Sequence, residues 1–334
     1  MRISVVMPTF DGARFLAAQI ESILAQTATD FELLAIDDGS SDATIAILDD
    51  AARRDSRVRR LPASGNRGQN RRLVELLAAA SGEFVAIADQ DDVWDRERNA
   101  RLLDAIGDRA LACGRSQLID ADDRDLGLSV LEAKGVDAAA VGPLSALFLP
   151  LVSAHAAIMR RSWIDPGAFF GPLPFDLALG LEAHYSAGLV YVDEAIVYHR
   201  IHGGNQMNGD VVPSDRQRLL SRHRARAILG KVRSQRVALH QSLDHLGRSG
   251  ALDRPVRASF RHLAGTCWNA WFAIGDRAGA IEREFHRELD GHAGSPADLS
   301  LFTARVRALT QPWFSPTNLA DAWRDYRGPA LWQV

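Results

Sequence analysis

The chain has 334 residues, of which 47% are hydrophobic, and a formal charge of -3. That is enough apolar side chain to fill one large or two medium domains, which excludes a disordered chain, and the charge argues against general nucleic-acid binding. The two cysteines, Cys113 and Cys267, lie too far apart in sequence to suggest a metal knuckle or a disulfide framework, and fit a reducing compartment.

The first strand is predicted almost at once, over Ile3 to Met7, with no charged leader, long apolar core or cleavage site before it. From Met1 to about Ile106, strand-like and helix-like segments alternate, the pattern of a βα-type parallel sheet. Leu16, Ile20, Ile23 and Leu24 recur at the spacing of one helical face, as do Leu73, Leu76, Leu77 and Ala80 in a later helix. Ser40, Ser41 and Asp42 are placed to cap a helix running to about Arg53, and Gly65-Asn66-Arg67-Gly68 reads as a turn.

Two acidic clusters interrupt this alternation. Asp37-Asp38-Gly39-Ser40 follows the apolar run Phe31 to Ile36, and Asp89-Gln90-Asp91-Asp92 follows Phe84 to Ala88. Both runs read as buried parallel strands, so each cluster falls at a strand's carboxyl end, where open α/β sheets bind ligands. Either cluster alone is explained by solvated turn residues and helix caps. Two at matching strand ends point instead to a divalent cation with a nucleotide's phosphates, because neighbouring buried carboxylates need a cation or hydrogen-bond donors.

From Leu111 to Ile201 the pattern is irregular, with short strands expected at Leu189 to Val192 and Ala195 to Tyr198 around Pro- and Gly-rich loops. This suits a second half built on the same sheet. Gly203 to Pro213 reads as a boundary loop, and beyond it the chain looks helical. There Leu229, Val232, Leu239, Leu243 and Leu246 follow a heptad broken at Arg236, better suited to an antiparallel helix pair than to a dimeric coiled coil. Between Asp215 and Arg261 twelve Lys or Arg face three acids. The expected domains are therefore 1–212, with halves at 1–106 and 107–212, and a helical 213–334.

In order, Ser4-Val5-Val6-Met7-Pro8-Thr9-Phe10-Asp11-Gly12, Asp37-Asp38-Gly39-Ser40-Ser41-Asp42, Asn66-Arg67-Gly68, Ser81-Gly82-Glu83-Phe84 and Ala88-Asp89-Gln90-Asp91-Asp92-Val93-Trp94 closely resemble the inverting glycosyltransferase family two. Asp120 to Gly127 also matches, and His199-Arg200-Ile201-His202-Gly203-Gly204-Asn205 is similar to the family's Tyr-Arg-x-His-Gly-x-Asn, with His199 in place of Tyr. The resemblance covers roughly residues 2 to 210. It implies an α/β fold of the GT-A type, a Rossmann-like, mostly parallel sheet flanked by helices, here with an α-helical C-terminal extension. The Asp-Gln-Asp-Asp-Val-Trp ending looks most like the branch of bacterial rhamnosyltransferases of surface-polysaccharide assembly.

By that resemblance Pro8, Thr9, Asp38 and Arg71 surround the donor's base, Asp89 lies near the ribose, and Gln90 belongs to the nucleotide-sugar site. Asp91 is the expected ligand of Mg2+ or Mn2+, which neutralises the departing nucleoside diphosphate, and His202 helps hold the metal or the diphosphate. For Asp92 a loop cap or a hydrogen bond to a ligand is as good a reading as direct ligation. Inversion needs one general base, which the family supplies as an Asp at a helix start. Asp176, in Pro174-Phe175-Asp176-Leu177, takes that place, with Glu182 and His184 as substitutes and a helix cap as the alternative. His155 occupies an acceptor-side segment, its role open.

The expected donor is a dTDP- or UDP-linked sugar, with rhamnose the leading guess. The expected acceptor is a glycan or lipid-linked glycan that receives one sugar per encounter, since the chain lacks the Gln-x-x-Arg-Trp motif and membrane helices of processive synthases. Trp313, Phe314, Trp323, Tyr326 and Trp332, with Arg324 and Arg327 beside two of them, suit either a lipid interface or packing within the protein or against a second copy. The expected location is cytoplasmic, peripheral at the inner face of the membrane. The rival readings are a non-catalytic sugar-nucleotide or glycan-binding protein and a sugar nucleotidyltransferase; the latter's Gly-rich, Lys/Arg-bearing loop is missing near the N-terminus.

Overall fold

A computed structural model describes residues 2–133, 136–138, 141–142, 145–147, 151–170, 173–186, 188–203, 241–249, 254, 257–258 and 260–264. The chain divides into two compact units, one of residues 1–130, 152–179 and 187–205, the other of 131–151, 180–186 and 206–334.

The first unit holds a nine-stranded sheet. Its strands are β1 (Ile3–Thr9), β2 (Phe31–Asp37), β3 (Val58–Arg60), β4 (Phe84–Ile87), β5 (Val93–Trp94), β6 (Leu111–Ile119), β7 (Asp125–Ser129), β8 (Ala157–Arg160) and β9 (Leu189–Arg200). The helices are α1 (Leu16–Leu24), α2 (Thr44–Arg54), α3 (Gln69–Ala79), α4 (Arg98–Ile106), a short α5 (Val130–Ala133) and α6 (Phe175–Tyr185). The strand order is β3-β2-β1-β4-β8-β6-β9-β5, with β7 on β6.

The expected parallel βα half is present: β1 pairs in parallel with β2 and β4, and β2 with β3. Beyond β4 the sheet is mixed. β8 runs antiparallel to both β4 and β6, while β6 and β9 are parallel. Leu189–Val192 and Ala195–Tyr198 join into the single strand β9, whose register against β6 shifts between Gly114 and Ser116. A bulge there lets one long strand carry a segment that reads as two.

Every residue of β2 is buried, as are all four of β4, which is why their sequences are continuous apolar runs without alternation. The stripe Leu16, Ile20 and Ile23 packs into this core with Ile3, Val5, Phe31, Leu33 and Phe84. Ser81-Gly82 is a scaffold feature: a Cβ on Gly82 would lie 2.6 Å from Ser4 N and 2.7 Å from Arg2 O.

In the second unit Leu243, Leu246, Phe260 and Leu263 are fully buried, and Tyr185 meets Phe260 edge-on at 4.8 Å. Glu182 is buried there. Ser249 Oγ donates to its Oε1 at 3.0 Å, and His245 Nε2 lies 3.0 Å away without hydrogen-bond alignment. The rest of the heptad and the tail aromatics lie outside the described residues.

Candidate active site

The carboxyl ends of β1, β2 and β4 lie side by side, in register as Thr9↔Asp37 and Val6↔Ile87. Both acidic clusters leave the sheet from this edge. The loop after β1 is clamped to the loop after β2: Asp11 N donates to Ser40 Oγ at 2.8 Å, Gly12 N to Thr44 Oγ1 at 2.8 Å, and Ala13 N to Asp42 Oδ2 at 2.9 Å. Thr9 Oγ1 donates to Asp37 Oδ1 at 3.2 Å, with Pro8 just before it on β1.

Asp38 is buried and holds the turn before α3. It accepts from Arg67 N at 2.7 Å, Gly68 N at 2.8 Å and Arg72 Nε at 2.7 Å. Burial alone would raise its pKa, but those three hydrogen bonds outweigh it and keep the carboxyl below its ordinary range. A carboxylate offers about four acceptor positions, so one remains for a ligand. The neighbouring Arg71 is exposed, its guanidinium 5.5 Å from the centre of the Phe170 ring. Arg72, which sequence reading passed over, is the arginine bound to Asp38. Its place four residues before Leu76 puts it on the buried stripe of α3, and that spacing is the signal that finds it.

Gln90 is engaged by the scaffold. Its Oε1 accepts from Phe10 N and its Nε2 donates to Phe10 O, both at 2.9 Å. Gly12 makes room for it, since a Cβ there would meet Gln90 Oε1 at 2.3 Å.

The other three acids of the second cluster each meet a histidine. His155 Nδ1 lies 3.2 Å from Asp89 Oδ2, His202 Nε2 lies 2.8 Å from Asp91 Oδ2, and His199 Nδ1 lies 2.8 Å from Asp92 Oδ1. Asp92 is fully buried and its Oδ1 also accepts from Arg200 N at 3.2 Å. Arg200, itself buried, donates from Nε to Asp91 O at 2.9 Å, pairs with Asp123 Oδ1 at 2.7 Å and lies over the Phe15 ring. Phe15 also contacts the His202 ring at 4.8 Å. The end of β9 thus fastens the loop that follows β4.

Three neighbouring acids set the electrostatics. Burial, then the charges of Asp92 and Asp89, push the Asp91 carboxyl above its ordinary range against the hydrogen bond from His202. For Asp92 burial acts in the same sense, but the charges of His199 and His155 outweigh it and hold the carboxyl low. Burial would lower His199; Asp92 overrides that and raises it to about 9. Asp91 is therefore the acid whose ionised form is least compensated by the protein, and a divalent cation would supply that compensation.

Asp176 sits in the first turn of α6, half-buried, with Leu177 N donating to its Oδ1 at 2.9 Å, and the adjacent Phe175 stacks on Phe169 at 5.1 Å. Glu182 is committed to Ser249 as described, and His184 is half-buried on the same helix. Sequence reading also left Ser116 and Arg98 without a role. Ser116 Oγ lies 2.8 Å from His155 Nε2, and the buried Arg98 donates to His155 O at 2.9 Å and Ala157 O at 2.8 Å. A serine inside a strand and an arginine opening a helix carry no sequence signal for such contacts.

Residues 4–165 match the model of glycosyl transferase family 2. An uncharacterized glycosyltransferase of Nostoc sp. is 31% identical over 128 residues, 38% of this chain and 40% of that protein. The Escherichia coli UDP-Glc:alpha-D-GlcNAc-diphosphoundecaprenol beta-1,3-glucosyltransferase WfgD is 37% identical over 93 residues, 28% of this chain and 36% of that one. The chain thus spans less than half the length of these relatives. The crystal structure of Staphylococcus aureus TarS 1-349 in complex with UDP-GlcNAc superposes with a TM-score of 0.57 at 15% identity, covering 98% of this chain and 93% of that one, a likeness of fold. The sheet edge that gathers both acidic clusters lies within residues 4–165, the segment that matches the model of glycosyl transferase family 2.

Proposed function

We propose that the chain transfers a single sugar from a nucleotide diphosphate sugar to a glycan or lipid-linked glycan during surface-polysaccharide synthesis, with inversion at the transferred carbon. The observation that carries this reading is the gathering of Asp38, Asp89, Asp91 and Asp92 beyond the carboxyl ends of β2 and β4, next to β1. The names of relatives, one a glucosyltransferase acting on a diphosphoundecaprenol-linked sugar, support the acceptor class.

In this reading Pro8, Thr9, Asp38 and Arg71 surround the base, Asp89 borders the ribose, and Gln90 belongs to the nucleotide-sugar site. Asp38 uses its remaining acceptor position while its other hydrogen bonds hold the 65–68 turn in place. Asp91 and His202 are the residues that would hold Mg2+ or Mn2+, which when bound would supply compensation for the negative charge on the leaving diphosphate. Asp176 takes the proton from the acceptor hydroxyl on the face opposite the leaving group, as a single displacement requires. Rhamnose from a dTDP-linked donor is the leading sugar. Among the described residues no helix is long and apolar enough to cross a membrane, and a peripheral site at the inner face of the cytoplasmic membrane suits a lipid-linked acceptor.

The experiment is a thermal-shift panel of UDP-, dTDP- and GDP-sugars with and without Mn2+, followed by transfer assays with the donor that binds. Selective stabilisation by one nucleotide, dependent on Mn2+, is expected. Indifference to all donors would remove the reading, and binding without turnover across acceptors would leave a sugar-nucleotide-binding protein.

A further inference from the structure

From the geometry around His155 we infer a second cation site, formed by Asp89, Asp92, His155 and His199 and suited to a divalent transition metal such as Zn2+ or Co2+. It is separate from the ion assigned above to Asp91 and does not rest on the glycosyl-transfer reading.

Each of the four residues offers one ligand atom, and these atoms all lie within 4.8 Å of one another. Around a tetrahedral Zn2+, with nitrogen and oxygen ligands at about 2.0–2.2 Å, the ligand atoms stand roughly 3.4 Å apart. Two pairs, His199 Nδ1 to Asp92 Oδ1 at 2.8 Å and His155 Nδ1 to Asp89 Oδ2 at 3.2 Å, are at or inside that spacing. The His155 and His199 rings stack with centroids 4.8 Å apart and planes within 8°, so one ring must turn for both Nδ1 lone pairs, which lie in the ring planes, to meet at one ion.

A second observation points to a ligand. Asp92 is fully buried, and among the described residues its Oδ2 has no hydrogen-bond partner, while Oδ1 meets His199 and Arg200 N. A desolvated carboxylate oxygen left without a donor is uncommon, and an unplaced ion is among its standard explanations. The surroundings also resemble those that orient metal-binding imidazoles, whose second nitrogen is held by another group. His155 Nε2 meets Ser116 Oγ at 2.8 Å and its carbonyl is fixed by Arg98. Two imidazoles with two carboxylates favour Zn2+ or Co2+ over Mg2+, which prefers oxygen and water. Asp91 stands outside the set, its Oδ2 engaged with His202. An ion here would join the loop after β4, the segment before β8 and the end of β9.

The test is a Co2+ titration of the full chain, stripped of metal by a chelator, in the absence of nucleotide. The expected result is one tetrahedral Co2+ per chain, read from its intense d–d absorption and counted apart from any ion at Asp91. Asp91→Asn keeps that absorption. His155→Ala and His199→Tyr lose it, binding Co2+ at least ten-fold more weakly, while circular dichroism melting shows that both fold; His199→Tyr retains a ring and a hydrogen-bonding group and so guards against simple misfolding. Only weak octahedral absorption in the wild type, a band that survives both histidine substitutions, or a band that Asp91→Asn removes would each overturn the site. Donor binding and sugar transfer are not read, so failure here leaves the proposed function standing.

Discussion

His199 and Asp92 form an ion pair at the base of the second acidic cluster, 2.8 Å between Nδ1 and Oδ1, with the carboxylate wholly buried. The two residues are 107 positions apart, and the pair joins the last residues of β9 to the loop that follows β4. Removing one partner leaves the other charge buried and uncompensated, which costs about 3–5 kcal/mol in comparable buried pairs. His199→Ala should therefore lower unfolding free energy by that order, and the double substitution with Asp92→Asn should recover part of it. Urea denaturation of the four proteins of this cycle checks it.

The same pair sets a pH dependence. His199 is raised from 6.5 to about 9, so its contribution is fully present below pH 6.5 and is lost as pH rises through about 9. Asp92 is lowered, so its contribution holds above the ordinary Asp range and is lost as acid protonates it. The stability difference between wild type and His199→Phe should be largest near pH 6 and shrink by on the order of 3 kcal/mol by pH 10. Equilibrium unfolding at a series of pH values reads this directly, and a difference that does not change across the range would refute it.

Asp38 is predicted to matter twice. Its carboxylate holds Arg67 N, Gly68 N and the buried Arg72, so Asp38→Ala releases the turn before α3 and takes one acceptor from a guanidinium that keeps Glu75 and the Ser64 and Gly65 carbonyls. A loss of about 1–3 kcal/mol in stability is expected, beside a loss of about 1–3 kcal/mol in nucleotide affinity. Denaturation and calorimetry on the same preparation separate the two effects.

The sheet's parallel half, the stripes on α1 and α3, and both acidic clusters were legible because each is a local pattern: a continuous apolar run, a helical period, a strand followed by acids. The long-range pairings were not. Nothing local distinguishes Arg71 from Arg72 until the phase of α3 is applied, and His155 and His199 meet only because β8 and β9 flank β6. The antiparallel insertion of β8 was hidden because a four-residue buried strand reads the same in either direction. The continuity of β9 was hidden by exposed Asp193 and Glu194, which look like a turn but sit opposite the register shift.

Gly82→Ala should destabilise the fold without touching the site. The added methyl would lie 2.6 Å from Ser4 N, against backbone that cannot move aside without disturbing β1. About 1–3 kcal/mol is the usual cost of such overpacking. Nucleotide affinity of the folded fraction should be unchanged, as calorimetry below the melting transition would show.

Asp91→Asn tests function against stability. Burial and the charges of Asp92 and Asp89 raise the Asp91 carboxyl, so its ionised form is disfavoured in the fold, and a neutral amide relieves that repulsion. The metal-free variant should melt at or above the wild-type temperature, yet lose roughly 10²–10³-fold in sugar transfer. Differential scanning calorimetry and a transfer assay give the two numbers.

The most direct test of the proposed donor site is calorimetric binding of UDP and dTDP to the wild type, Asp91→Asn and Asp176→Asn, each with Mn2+ and with EDTA. One nucleotide should bind the wild type tightly only with Mn2+, lose at least ten-fold in Asp91→Asn, and bind Asp176→Asn within about three-fold of wild type, since a general base acts on the acceptor and not on the donor. Equal affinity in EDTA and in Asp91→Asn would contradict the assignment of the second acidic cluster to the donor diphosphate.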